Sequence, residues 1–482
     1  MKSPLKATFQ LSLATLFTMA MGLISAKVLA LVLGPSGLGV LGLLQAVIGF
    51  LSVVAGLGIS TALVRKGASQ HQAIGLIERS GLYLTAMWNL FLFLAWIFLG
   101  PHLLSRFGIH VGRFWQILLG LSFGFQSFAN LQLAGLKLRR QVGAIARASA
   151  ISAVMVPLAM VVMVAYGHRN GVVPAITASA AMAFLIPWWV RRRLRPSPDS
   201  ASAPEIRSEM RSLLWAGLPL MISALVGAST KTAIPLMVQD QLGRAGVGFY
   251  MVGLTLSSTY LGFLSGTMSQ EYFPRLSALK GKPRELVAAI NRQQQVTLWV
   301  SLPIVATVEI FAKWLVPLVW TARFGPAVPM IRWMVMADLL RFSSWSLSFV
   351  ILSEYGGSLY LGTELLGGAA TLTLIFFGLS FLGLRGLGMA LNLKYALYLG
   401  WVWLICRKRL GFVWTRSNGW ALVLGQLLMF ILLLVPINSS PFAAWVEIPL
   451  DGALILLSAH KLWRQWRASE SKPTRAESSQ AL

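Results

Sequence analysis

Leu33-Gly34-Pro35-Ser36-Gly37-Leu38-Gly39 closes a long apolar segment, and Leu242-Gly243-Arg244-Ala245-Gly246-Val247-Gly248 closes another about 209 residues later. The recurrence marks a duplicated membrane protein. Each apolar segment carries one lysine, Lys27 or Lys231. A membrane-spanning helix seldom keeps a cation unless something anionic requires it, so the pair points to a carrier for a negatively charged substrate.

Composition fixes the class. With 482 residues, 56% hydrophobic and only 12% charged, the chain is too apolar for a soluble enzyme. The net charge of +26 would suggest nucleic acid in a soluble protein. Here most of the 41 Lys and Arg fall in short gaps between apolar runs, as the positive-inside rule requires, and no nucleic-acid partner is expected. One cysteine, Cys406, excludes an internal disulfide and a thiolate metal site, and the five histidines lack ligand spacing. No metal or cofactor is expected. Lys2 and Lys6 precede an apolar run of about 25 residues, which reads as a retained first span rather than a signal peptide.

By the yardstick of roughly 20 apolar residues per crossing, the sequence predicts an all-α polytopic membrane protein with about fourteen spans. The Pro-, Ser- and Ala-rich stretch after Arg195 divides it. The expected plan is an N-lobe over 1–195 with six spans, a cytoplasmic linker over 196–211, and a C-lobe over 212–410 with six more. Two additional helices over 411–466 and a tail over 467–482 complete it. Six spans before the linker make the repeat parallel, with a pseudo-two-fold axis along the membrane normal. Basic clusters at Arg65-Lys66, Lys137 to Arg147, Arg191-Arg192-Arg193, Arg275 to Arg292, Arg407-Lys408-Arg409 and Lys461 to Arg467 occupy alternate gaps. They place about 29 cations on one side against about six on the other, and so both termini in the cytoplasm. A third motif copy, Leu382-Gly383-Leu384-Arg385-Gly386-Leu387-Gly388, and a looser cousin at Gly167 to Gly171 lie in other outer gaps. The motif therefore predicts tight hairpins rather than substrate contacts.

Around Leu33-Gly34-Pro35, Gly37 and Gly39, Gly56-Leu57-Gly58 and Ala62-Leu63-Val64-Arg65, the chain resembles the polysaccharide flippases of the multidrug/oligosaccharidyl-lipid/polysaccharide (MOP) exporter superfamily, which includes O-antigen and exopolysaccharide translocases. Leu38 stands where that family usually has an aromatic, and Lys66 where an acid often follows the arginine. The resemblance implies a fold like that of the multidrug exporters and an inner-membrane protein that moves undecaprenyl-diphosphate-linked oligosaccharide from the cytoplasmic to the periplasmic leaflet. It also implies partners in surface polysaccharide assembly, a polymerase and a chain-length regulator. The physics agrees: a diphosphate and a glycan cannot cross hydrocarbon unaided, and a cationic cavity would offset their lost hydration.

The candidate substrate-binding cations are Lys27, Lys231, Arg341, Arg332 and Lys394. Snorkelling to the interface is the alternative for the first two. Arg341 has Asp338 three residues earlier on the same helical face, which leaves a structural ion pair, a diphosphate site and a proton-linked pair open. Glu309 and Lys313 have the spacing of a self-satisfied pair. Glu309, Asp338, Glu364 and Asp451 are the acids available to couple transport to a proton or sodium gradient. Trp188-Trp189, Trp401, Trp403 and Trp463 read as interfacial belts, and Trp88 and Trp345, deeper in their spans, as stacking platforms for a glycan. Arg191-Arg192-Arg193 is chiefly a topology signal that could also gather anionic lipid headgroups.

Three other readings share parts of this pattern. A multidrug antiporter of the same superfamily would need acids in its leading spans, and spans 1, 2 and 7 have none. A lipid II flippase would be expected to carry arginines in spans 1 and 2, and these do not. A membrane enzyme of polysaccharide assembly needs a large catalytic outer loop, whereas every outer gap here is short.

Overall fold

A chain this apolar must satisfy its backbone polar groups internally, and helices do so within each segment. The computed structural model describes residues 4–69, 74–106, 108–109, 111–193, 202–262, 272, 275–355, 357–434 and 441–470. Twelve main helices follow one another: α1 Pro4–Gly56, α2 Ile59–Ser69, α3 Ile74–Arg106, α4 Arg113–Leu138, α5 Val142–Gly167, α6 Val172–Arg192, α7 Ala203–Leu254, α8 Pro283–Val319, α9 Val328–Tyr355, α10 Gly357–Leu410, α11 Arg416–Leu434 and α12 Pro441–Glu470. A π-helical segment, Thr255–Leu261, follows α7.

Among the described residues, ten helices are long and apolar enough to cross a membrane, where the sequence predicts about fourteen spans. The difference lies in three helices of double length. The 53 residues of α1 would extend about 80 Å if straight, against a hydrocarbon core of about 30 Å. Each of the three contains one non-helical glycine: Gly34 in α1 (φ 63°, ψ −173°), Gly243 in α7 (φ 68°, ψ −174°) and Gly383 in α10 (φ 58°, ψ −138°). These are the second residues of the three motif copies, in a backbone region open essentially to glycine alone. In α10 the chain reverses there. A Cβ on Gly386 would lie 1.8 Å from the carbonyl oxygen of Gly378, eight residues back, a separation of about 12 Å in a straight helix. The cousin between α5 and α6 does likewise, Gly171 lying against the carbonyl of Met163. Part of α12 lies outside the described side chains, and it is not among the ten.

The chain divides into two compact units. One holds the residues up to Met251 together with Val319–Arg323; the other holds Val252–Leu318 and the residues from Phe324 onward. In the first unit the two leading motif copies face each other. A Cβ on Gly39, the seventh residue of copy one, would lie 1.9 Å from the carbonyl oxygen of Arg244, the third of copy two. A Cβ on Gly248, the seventh of copy two, would lie 2.0 Å from the carbonyl of Pro35, the third of copy one. The contact is reciprocal, as a local two-fold relation demands.

From there the chain after Gly34 runs antiparallel to α7. Thr232 donates its hydroxyl to the carbonyl of Ala46 at 3.0 Å. Gly58 and Gly217 bring their backbones together, since a Cβ on either would fall within 2.4 Å of the other strand's carbonyl. Lys66 reaches Glu209 at 2.7 Å and Ser212 at 2.8 Å. Between α1 and α2 the chain breaks at Leu57 (φ 46°) and Gly58 (φ 66°), both left-handed. The Val54 carbonyl, which takes the Leu57 N–H at 3.2 Å, also accepts the indole N–H of Trp88 at 2.9 Å, and the Ala55 carbonyl accepts the amide of Asn89 at 3.0 Å. Leu57, Ile59, Leu63, Ile77, Leu131 and Leu213 form the apolar core beneath this break.

Part of the expected linker over 196–211 is helical. Residues 194–201 lie outside the described residues, and from Ala203 the chain is already α7. Pro204 fits a first helical turn, and the Glu205 carboxylate accepts the Ser202 backbone N–H at 2.8 Å, which caps the helix and holds that carboxyl below its usual range. The polar composition belongs to a helix start rather than to a flexible tether.

In the second unit the stretch Ala322–Glu354, which holds α9, has 83% of its most apolar window buried, against 17% for α3. That helix buries Arg332, Asp338, Arg341 and four of its five serines, so these polar residues sit where lipid does not reach.

Substitution at the reciprocal glycines tests this packing. Gly39→Ala and Gly248→Ala each force a methyl into a carbonyl, and overpacking of this kind destabilises by about 1–3 kcal/mol. Both variants should therefore melt earlier in a detergent thermal-shift assay. Gly49→Ala, where an added Cβ meets nothing within 4 Å, should melt like the parent protein.

Candidate functional site

Lys27 and Lys231 both belong to the first unit, on α1 and α7. Lys27 is half-buried beside Leu29 and Ala30, which are buried. Lys231 is exposed, and no hydrogen bond or carboxylate reaches it among the described residues. Its neighbour Thr232 pins that turn of α7 to α1 through Ala46, which fixes the direction in which Lys231 projects.

Arg341 lies in the second unit and is paired. Its guanidinium meets Asp338 at 3.1 Å and donates to the Ser257 carbonyl at 2.9 Å. The Ser257 hydroxyl donates to Asp338 Oδ1 at 2.9 Å. The π-helical turn makes this possible: the Ser257 carbonyl, bonded to the N–H of Gly262, remains open to a second donor. The ring of Phe342 at 5.2 Å and that of Trp345 at 5.7 Å complete the surroundings of Arg341. Of the three roles open to Arg341, the ion pair is the geometry observed. The second Asp338 oxygen, Oδ2, is buried without a hydrogen-bond partner among the described residues.

Arg332 donates to the carbonyl of Leu432 and so ties α9 to α11. Lys394 stands over the ring of Tyr395 at 3.7 Å and near that of Tyr398 at 5.2 Å. Tyr398 in turn donates to Glu364 at 3.1 Å and contacts the Ser348 hydroxyl at 3.2 Å. Two predicted residues, Lys394 and Glu364, thus meet at one tyrosine across the α10 hairpin. Glu309 is buried, while Lys313 lies over the Trp314 ring at 4.1 Å. The expected Glu309–Lys313 pair is absent from the ion pairs of the described residues: the long lysine stem packs on its aromatic neighbour while Glu309 occupies the buried face of α8. Asp451, buried on α12, accepts the Thr307 hydroxyl at 2.9 Å.

Of the two proposed stacking platforms, Trp88 is committed to structure. Its N–H goes to Val54 and its ring stacks on Phe91 at 5.3 Å. Trp345 stands beside Arg341.

The sequence reading missed Glu78. This buried acid takes Arg139 at 2.5 Å and Arg191 at 2.9 Å, and Arg191 also donates to Gln132 at 2.7 Å. The hydrogen bond to Glu78 holds the Arg139 guanidinium still more firmly protonated. One end of α3 and the ends of α4 and α6 therefore meet at a single carboxylate. An acid inside an otherwise basic gap was the signal available.

With the geometry in place, comparison with known proteins identifies the fold. The family described as polysaccharide biosynthesis protein matches residues 28–329. The lipid III flippase of Escherichia coli (strain K12) is 23% identical over 376 residues, covering 74% of this chain and 87% of that protein. The lipid III flippase of Shigella flexneri matches to the same extent. Among solved structures, the lipid II flippase MurJ in an inward closed conformation aligns with a TM-score of 0.72 at 13% identity, over 95% of this chain and 99% of that one. An inward-facing multidrug resistance MATE family transporter of the MOP superfamily aligns with 0.68 at 18% identity, over 84% and 98%. The chain shares its fold with these two transporters.

A double-mutant cycle checks the role of the buried pair. Asp338→Ala leaves Arg341 buried without its carboxylate and should destabilise by about 3–5 kcal/mol. Adding Arg341→Met should recover most of that loss in the same thermal-shift assay. Additive losses would show that the two side chains act independently.

Proposed function

The chain belongs to the polysaccharide biosynthesis protein family, and on that premise we propose that it flips an undecaprenyl-diphosphate-linked oligosaccharide from the cytoplasmic to the periplasmic leaflet of the bacterial inner membrane. The observation that carries the reading is Lys231: a cation exposed on a membrane-crossing helix, with no carboxylate beside it among the described residues. An ammonium kept in that setting suits a substrate that supplies its own negative charge, as a diphosphate does.

Partner choice separates the other cations. Arg341 and Arg332 are bonded to protein groups, which suits them to holding α9 in place. Lys27, Lys231 and Lys394 are assigned to the substrate in this proposal, Lys231 and Lys394 because no described residue gives them a hydrogen bond or a carboxylate. Lys394 between two tyrosines offers a cation and sugar-stacking rings together. The relatives in Escherichia coli and Shigella flexneri support the same class of activity, since both are named lipid III flippases. Translocation by alternating access breaks no bond in the cargo, so no catalytic residue is required.

Coupling to a proton or sodium gradient falls to Asp338, Glu364, Glu309 or Asp451, all in the second unit. Both termini are cytoplasmic in this proposal, following the distribution of basic gaps. A polymerase and a chain-length regulator would receive the product on the far side.

Deleting the gene should cause lipid-linked oligosaccharide to accumulate on the cytoplasmic leaflet. Normal surface polysaccharide without such an intermediate, in a strain lacking a second flippase, would refute the proposal. Lys231→Ala and Lys394→Ala should each lower transport at normal expression and melting temperature. Arg332→Ala should instead lower the yield of folded protein, because it leaves the Leu432 carbonyl without its donor.

A further inference from the structure

Three consecutive arginines at the end of α6 have different surroundings. Arg191 turns inward to Glu78, whereas Arg192 and Arg193 are exposed. Each exposed guanidinium lies over a tryptophan four residues earlier: Arg192 over Trp188 at 5.3 Å, Arg193 over Trp189 at 3.8 Å. Both indoles are open on the surface of the helix, at 38% and 45%. The same arrangement recurs near two other helix ends, with Arg407 over Trp403 at 5.1 Å in α10 and Arg467 over Trp463 at 3.9 Å in α12.

We propose that these Trp-x-x-x-Arg pairs, led by the double pair at the end of α6, bind the headgroup phosphates of anionic phospholipids. The spacing of four residues puts both side chains on one helix face, with the ring towards the apolar middle and the cation towards water. An indole in that position settles at headgroup level. A ring 5.3 Å or 3.8 Å from the guanidinium carbon attracts the charge but offers no lone pair to its N–H groups, which suits them to gripping a phosphate in two places. Neither Arg192 nor Arg193 has a carboxylate partner among the described residues, so no described side chain competes for those donors. Lysine could supply the charge but not the planar fork. Net positive charge here selects lipids with net negative heads over zwitterionic ones.

The site does not depend on what the protein transports. Only the leaflet it reaches, the cytoplasmic one, follows from the orientation proposed above. Native mass spectrometry of the full chain in detergent, with phosphatidylglycerol and phosphatidylcholine of identical acyl chains as probes, tests it. The parent protein should retain phosphatidylglycerol preferentially. Arg192→Gln/Arg193→Gln should weaken that retention about thirty-fold, the loss expected for two surface cations, and leave phosphatidylcholine unchanged. Arg192→Lys/Arg193→Lys preserves charge, insertion and folding, and should bind at an intermediate level. Equal retention of both lipids by the parent protein would overturn the proposal. Retention by the lysine variant equal to that of the parent would overturn it too, because charge alone would then suffice.

Discussion

The first unit depends on backbone meeting backbone where the two motif copies cross. Gly39 lies against the Arg244 carbonyl and Gly248 against the Pro35 carbonyl, and no side chain of any size fits at either point. In lipid there is no hydrophobic force between helices, so close approach at small residues supplies what association needs. Once that crossing is fixed, the later contacts along α7 follow in register: Thr232 on Ala46, Gly217 on Gly58, Glu209 on Lys66. The glycines at 34 and 243 do a different task. They turn the chain, and the glycines five residues on allow the turned chains to meet.

Polar groups inside this protein are arranged by who answers them. Asp338 and Arg341, on the buried helix α9, bond to each other and to Ser257. Glu78 answers two arginines at one end of the first. Lys231 is answered by neither an acid nor a hydrogen bond among the described residues, and Arg192 and Arg193 are answered only by aromatic faces. The buried networks set the shape of each unit, and the cations left outside them are the groups available to anionic ligands.

Much of the fold was legible because membrane helices announce themselves by length and hydropathy, and because the repeated glycines marked the turns. That α7 already begins within the polar stretch at Ala203 was not legible, since proline, serine and glutamate belong equally to a loop and to a helix cap. Glu309 and Lys313 have the spacing of a pair, yet spacing says nothing of a competing tryptophan next door. Trp88 looked free for sugar because its acceptor, Val54, lies 34 residues away and is exposed as an acceptor only by the break at Leu57. Glu78 escaped notice for the same reason: its partners lie 61 and 113 residues off, a distance over which no local pattern can speak.

The reciprocal crossing has a consequence for the history of the chain. After duplication, two halves are free to diverge wherever each packs only against itself. At the crossing they are not, because the seventh residue of each copy sits on the third residue of the other. A side chain gained in one half would need backbone yielded by its sister, so a change tolerated at one glycine has to be matched in the partner copy. That mutual hold accounts for the same glycine spacing in two copies about 209 residues apart.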